Sequence, residues 1–414
     1  MIGAARLGSW LPPSSGARRL LAASFVDSLG TGLFLAGSAL FFTRVLGLTT
    51  VQVGVGLSLA GLAGFLGMVP VGRLADAVGG KRAIVALYLW RGCCFLAYPF
   101  VREPALFFVL AFLIGVAEWG GGPIVQGIIA SVEKADARVR TMAVVSTVRN
   151  IGFTVGAVLA TLAIATGKLG AFTGLVLADA GTFLAAAMLL SRLPAAAGAR
   201  ARRQPVGRSV VRVNDPRFLA LTALNGVLDL HTGLLAVGLP LQIATRTAAP
   251  PAVIGVVVVI NTVLVILLQV RLSRGSDGIR NAARRQQWAS WSLAGCCLLV
   301  AGTGGLGGAT ATVLVIIAAV ALTLGEIWQS VGAWGLSYAL APERQRAYYL
   351  SVFELGKSGS AALGPALLTW AVIRNGAVGW VGLAAVFVLT GLAVVLVSGG
   401  VHRALATPGA APEG

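Results

Sequence analysis

The chain is cut into apolar runs, each about as long as a bilayer is thick, and this limits its fold more than any other feature. A helix needs ~20 apolar residues to cross ~30 Å of hydrocarbon. Twelve such runs can be laid along the 414 residues, at about 20–43, 51–74, 83–101, 105–131, 141–166, 169–191, 217–244, 253–272, 286–303, 309–340, 347–373 and 378–401. In lipid each must be helical, because every backbone polar group needs a partner within its own segment. Only 11% of residues are charged, against roughly 25% in soluble domains. The deficit extends over the whole length, which excludes a soluble domain carrying a single anchor. The first run is too long for the apolar core of a cleavable signal peptide. The sequence predicts an all-α polytopic membrane protein.

Lys and Arg set its orientation. With the N-terminus placed inside, 24 of the 32 basic residues fall in inside segments, five (Arg44, Arg102, Lys168, Arg246, Arg374) in outside loops and three within spans. This asymmetry predicts a cell-membrane protein with both termini cytoplasmic. It also accounts for the net charge of +18 as topological, with a contribution from anionic lipid, and it argues against a nucleic-acid partner. The longest hydrophilic stretch, 192–216, is Arg-rich and reads as a flexible cytoplasmic linker. It separates an N-terminal six-helix bundle, 1–191, from a C-terminal one, 217–403, and residues 404–414 read as a disordered tail. The cysteines occur as Cys93–Cys94 and Cys296–Cys297, without zinc-type spacing, and read as packing residues.

The halves align with each other at offsets near 200 residues. Asp27 meets Asp229, Arg73 and Asp76 meet Arg274 and Asp277, and Trp90 meets Trp291. Further along, Glu118 meets Glu326 and Arg149 meets Lys357. Internal repeats of this kind are a transporter architecture. The stretch Val71 to Arg82, VGRLADAVGGKR, reads as a twelve-residue loop between two spans. Its Gly72, Arg73, Asp76, Gly79, Lys81 and Arg82 resemble the loop signature of the major facilitator superfamily, which likewise joins helices two and three. Gly80 departs from that signature, where a basic residue is common. The second-half copy, Arg271 to Arg285, keeps Arg274 and Asp277 and is expected to lack the glycines. The resemblance covers nearly the whole chain. It implies secondary transport, with the two halves rocking about a central cavity and the first-half loop serving as a conformational latch through its aspartate. Drug-exporting relatives usually carry Gly-Pro in helix five. Here span five reads Gly152 to Ala157 without proline, and Gly364-Pro365 stands in span eleven instead.

Ionisable groups inside spans cost at least ~2.5–3.5 kcal/mol each and mark function. Two pseudo-symmetric ion pairs are expected, Glu118–Arg149 and Glu326–Lys357, with Glu354 one turn from Lys357 as a competitor. With Asp27 and Asp229 these form the candidate proton-coupling and substrate cavity. Polar stripes continue it: Ser24, Asp27, Ser28 and Thr31 in span one, and Asn225, Asp229 and Thr232 in span seven. Trp119, Gln126, Asn261, Trp328 and Gln329 complete the expected lining. His231, Arg91 and Asp179 are assigned structural roles, the latter two because the resemblance makes helices three and six peripheral.

No enzyme is expected. Gly302-x-Gly304-x-x-Gly307 lies in an outside loop with no strand before it, and Gly356-Lys357-Ser358 lacks the first glycine of a phosphate loop. His231, His402 and the cysteines form no catalytic constellation. The expectation is alternating-access transport of a small organic molecule, proton-coupled and leaning to efflux of amphipathic compounds, with proton-coupled nutrient uptake or a non-transporting receptor as alternatives. The expected partners are substrate, protons and membrane lipid. A monomer is expected, with no cofactor or metal.

Overall fold

A computed structural model describes residues 14–193 and 213–406. Among these residues it is helical throughout. Ten helices are α1 Ser15–Val45, α2 Thr50–Val78, α3 Gly80–Phe100, α4 Pro104–Val132, α5 Ala135–Ala165, α6 Leu169–Ser191, α7 Pro216–Arg246, α8 Val253–Leu272, α9 Ile279–Ala301 and α10 Gly308–Leu340. The remaining helix, Arg346–Ala406, is broken at Gly376, whose φ of 53° and ψ of −128° are non-helical. Its two limbs are α11 and α12. Ten of the twelve are long and apolar enough to cross a membrane. The other two are α9, which starts with Arg280, Arg284, Arg285, Gln286 and Gln287, and α11, which carries Glu354 and Lys357.

The chain forms two compact units. The first holds α1–α6 together with Pro342–Ser351, and the second holds α7–α10 and the chain from Val352 onward. The expected linker 192–216 and tail 404–414 lie largely outside the described residues.

Local chemistry explains the helix ends. Ser14 caps α1 by accepting from the Ala17 N–H, and its hydroxyl donates to Glu133 Oε1 at 2.7 Å. Thr49 and Gln52 form a reciprocal capping box at α2. Pro104 and Pro216 occupy first helical turns, where a missing N–H leaves nothing unpaired.

The twelve-residue loop expected at Val71 to Arg82 is instead nearly all helix. Residues 71–78 finish α2, Gly79 alone turns the chain at φ 96°, and Gly80 begins α3. Only glycine adopts that backbone freely. The second copy was expected to lack such a glycine. It has one, because Gly278 at φ 81° precedes α9 just as Gly79 precedes α3.

Within the first unit α1 packs against α5 and α6, α2 against α4, and α3 against α4 and α6. Glycines set the closest approaches. A Cβ on Gly156 would lie 2.1 Å from Leu29 O, and one on Gly32 2.2 Å from Phe153 O, so α1 and α5 touch backbone to backbone. In the second unit Gly226 of α7 and Gly356 of α11 do the same, 2.4 Å from Gly356 O and 2.0 Å from Thr222 O. Small-residue contacts of this kind are how helices associate in lipid, where apolar burial gives little drive.

Candidate functional site

In the first unit three helices bring three charges together. Arg91 of α3 donates from Nη1 to Asp27 Oδ1 of α1 at 3.4 Å and from Nη2 to Glu118 Oε2 of α4 at 2.8 Å. The Arg91 and Asp27 side chains are each 9% exposed, whereas that of Glu118 is 41% exposed. The guanidinium also lies over the Phe183 ring of α6, 4.0 Å from its centroid. Bonds between charged partners are roughly twice as strong as neutral ones, and the aromatic face adds a weaker attraction for the cation. The result is a buried cation held on two sides, with one carboxylate reaching open space.

Two cavities meet at this cluster. One, of about 70 Å³, is lined by Asp27, Tyr88, Arg91, Glu118 and Arg149. The other, of about 300 Å³, is walled by aromatic groups including Phe34, Phe95, Tyr98, Phe107 and Trp119. Thr31, Arg91 and Glu118 line both. The phenylalanine and tyrosine rings pack on one another mainly edge to face, with Phe34 4.8 Å from Phe95 and Phe42 4.9 Å from Phe107. One side of the larger cavity is therefore apolar and the other carries fixed charge.

The second unit ties the corresponding helices with amides. Asn225 Oδ1 on α7 accepts from Gln286 Nε2 of α9 at 3.1 Å and from Gln329 Nε2 of α10 at 3.0 Å. Beside them Asn261 donates to Glu326 Oε2 at 2.6 Å and to Thr323 at 3.2 Å. Asp229 is buried, with Lys357, His231, Glu354 and Glu326 close enough to interact with it electrostatically. His231 bonds locally to Leu228 O at 3.0 Å, just past a turn at Leu230 that interrupts α7. Thr232 lies beyond that turn and is exposed, so the expected stripe ends at Asp229.

These positions revise the expected pairing. Glu118 bonds to Arg91 and not to Arg149, which is exposed and lines the same small cavity. Arg91 had been assigned a structural role because α3 was taken as peripheral. A long arginine stem carries its charge across a helix, so peripheral position does not remove it from the site. One sequence signal was available: Asp27 lies eight residues after Arg19 and Arg91 nine after Arg82, which puts both at similar depth. Gln126, Asn225, Asn261 and Gln329 are buried, Thr31, Trp119, Glu326 and Trp328 half-buried, and Lys357 exposed. The Trp328 ring meets Trp288 edge-on at 5.8 Å.

The α2 end forms a second polar site within the first unit. Asp76 Oδ1 accepts from the Ala347 N–H at 3.0 Å and Oδ2 from the Tyr348 N–H at 2.9 Å. Both donors belong to the first turn of α11, where backbone N–H groups have no helical partner and the helix dipole favours an anion. Arg73 donates to Tyr348 Oη at 3.0 Å and lies over its ring. A Cβ on Gly72 would fall 2.2 Å from Ser351 Oγ. Lys81 donates to Leu193 O at 2.5 Å, and Arg82 is exposed.

Long apolar helices around an internal charge cluster and cavity define a multi-pass membrane transporter. The chain belongs to the major facilitator superfamily, whose profile matches residues 20–229. No curated protein matches it by sequence. Solved structures share the fold. A bacterial homologue of the iron transporter ferroportin, in an outward-facing state, is 15% identical with a TM-score of 0.70, over 94% of this chain and 100% of that one. The transporter FucP in its outward conformation is 16% identical with a TM-score of 0.69, over 95% and 99%. The human organic anion transporter TETRAN is 14% identical with a TM-score of 0.65, over 92% and 100%.

Proposed function

We propose that the chain moves a small amphipathic organic molecule across the cell membrane by alternating access, coupled to protons and in the direction of efflux. The observation that carries this reading is Glu118, a partly exposed carboxylate bonded to a buried arginine at the rim of a cavity with aromatic walls. An apolar body fits the rings, and a polar or charged group on it meets Glu118. Protonation of Glu118 removes its attraction for Arg91, so proton binding and the arrangement of α1, α3 and α4 change together. The Lys and Arg asymmetry supports cytoplasmic termini, and the chain acts as a monomer among membrane lipids.

Proton-coupled uptake is the second reading, favoured by the likeness in fold to a fucose:proton symporter. A sugar would need a polar partner for most of its hydroxyls, and the larger cavity is mostly apolar. In proteoliposomes carrying a proton gradient, the side on which substrate accumulates separates the readings. Glu118→Gln is expected to reduce gradient-driven accumulation to background. Unchanged accumulation in that variant would overturn the coupling role.

A further inference from the structure

We infer that Asp179 is a second, hidden partner for Arg91, holding a proton while Arg91 is bound to Glu118 and giving it up when Arg91 turns away. The inference deepens the proton-coupled reading and rests on it. Asp179 is 1% exposed, on the face of α6 that carries Phe183 one turn later. Its Oδ1 accepts from the Thr182 hydroxyl at 3.2 Å, and its Oδ2 has no hydrogen-bond partner among the described residues. The same is true of the buried Arg91 Nε. An orphaned acceptor and an orphaned donor thus belong to one cluster, although their side chains are chemically matched.

The packing holds Asp179 there. A Cβ on Gly30 would lie 2.2 Å from Asp179 Oδ1 and 1.9 Å from Thr182 Oγ1. Gly30 is one turn from Asp27, so the bare backbone of α1 lets the α6 carboxyl in behind the guanidinium. Arg91 meanwhile lies over the Phe183 ring, a contact that involves no directional hydrogen bond. The charged and titratable groups around Asp179 are Asp27 on α1, Tyr88 and Arg91 on α3, and Glu118 on α4, with Arg149 on α5 acting on Tyr88. Three carboxylates therefore share one buried guanidinium that bonds only two of them. An isolated buried carboxylate is neutralised by a proton. When a proton or a cationic substrate occupies Glu118, Arg91 is released toward Asp179. The Asp179 proton then passes to water in the larger cavity, which Asp179 lines, and the carboxylate takes the guanidinium in its place.

The test reads the C=O stretch of protonated carboxyls by infrared difference spectroscopy on the purified full-length protein at neutral pH. The wild type minus Asp179→Asn difference should contain one protonated-carboxyl band. Glu118→Gln, which leaves the packed α1–α6 contact untouched, should weaken that band at unchanged pH because Arg91 is then free to pair with Asp179. A spectrum with no band lost in Asp179→Asn would overturn the inference, as would a Glu118→Gln spectrum identical to wild type. If Asp179→Asn does not fold, the Glu118→Gln comparison decides alone. Transport is not part of this readout. Absence of proton-driven accumulation would sink the coupled function while leaving the exchange between the two carboxyls standing.

Discussion

At the scale of single residues, Arg91 is the group on which the first unit depends. Removing one member of a buried ion cluster leaves the others uncompensated and destabilises by about 3–5 kcal/mol. Arg91→Ala should therefore lower the unfolding temperature sharply, because Asp27 and Glu118 lose their shared cation. The combined variant Asp27→Asn, Arg91→Gln, Glu118→Gln removes every charge of the triad and should recover most of that loss, while remaining inactive in proton-driven transport. Thermal unfolding in detergent and flux in proteoliposomes would check the two statements separately. Equal instability of the single and triple variants would mean that packing of the Arg91 stem on Phe183, and not charge, is what matters.

At the scale of elements, glycines decide how closely the helices approach. Gly156→Leu should cost about 1–3 kcal/mol through overpacking, since its side chain would enter the Leu29 carbonyl. Gly174→Ala on α6 faces open space and should leave the melting temperature unchanged. The helices themselves were legible in the sequence because hydrocarbon thickness fixes run length, and α9 was read from its apolar run at about 286–303, which left out its charged first turns. The turn at Val71 to Arg82 was harder to read. Polar residues there suggested a long loop, yet helical hydrogen bonds continue to Val78 and a single positive φ suffices. The charge cluster was legible in its members Asp27 and Glu118 but not in its pairing. Pairing depends on which way each helix is rotated and how far an arginine reaches, and run length carries neither. The Asn225–Gln286–Gln329 set was half visible, because Gln286 lies at the border of its apolar run and resembles a loop residue.

At the scale of the whole molecule, Asp76 bonds the first turn of α11, a helix that continues into the chain of the second unit. Loss of a cap of this kind typically costs about 0.5–2 kcal/mol. Such an energy shifts a two-state population several-fold without unfolding the protein. Asp76→Ala should change the rate of exchange between conformations, read by spin-label distances, while substrate-induced thermal stabilisation stays close to wild type. Lost stabilisation with unchanged exchange would count against a latch. The contrast between the charged triad of the first unit and the amide triad of the second also bears on how the chain is made. Helices leave the ribosome one at a time, and Asp27 reaches the bilayer in α1 well before Arg91 arrives in α3 or Glu118 in α4. Each charge entering lipid alone faces the insertion penalty of ~2.5–3.5 kcal/mol, whereas Asn225, Gln286 and Gln329 carry no net charge. The charged triad of the first half is therefore complete only once α4 has emerged, whereas its amide counterpart in the second half adds no charge to the helices as they enter.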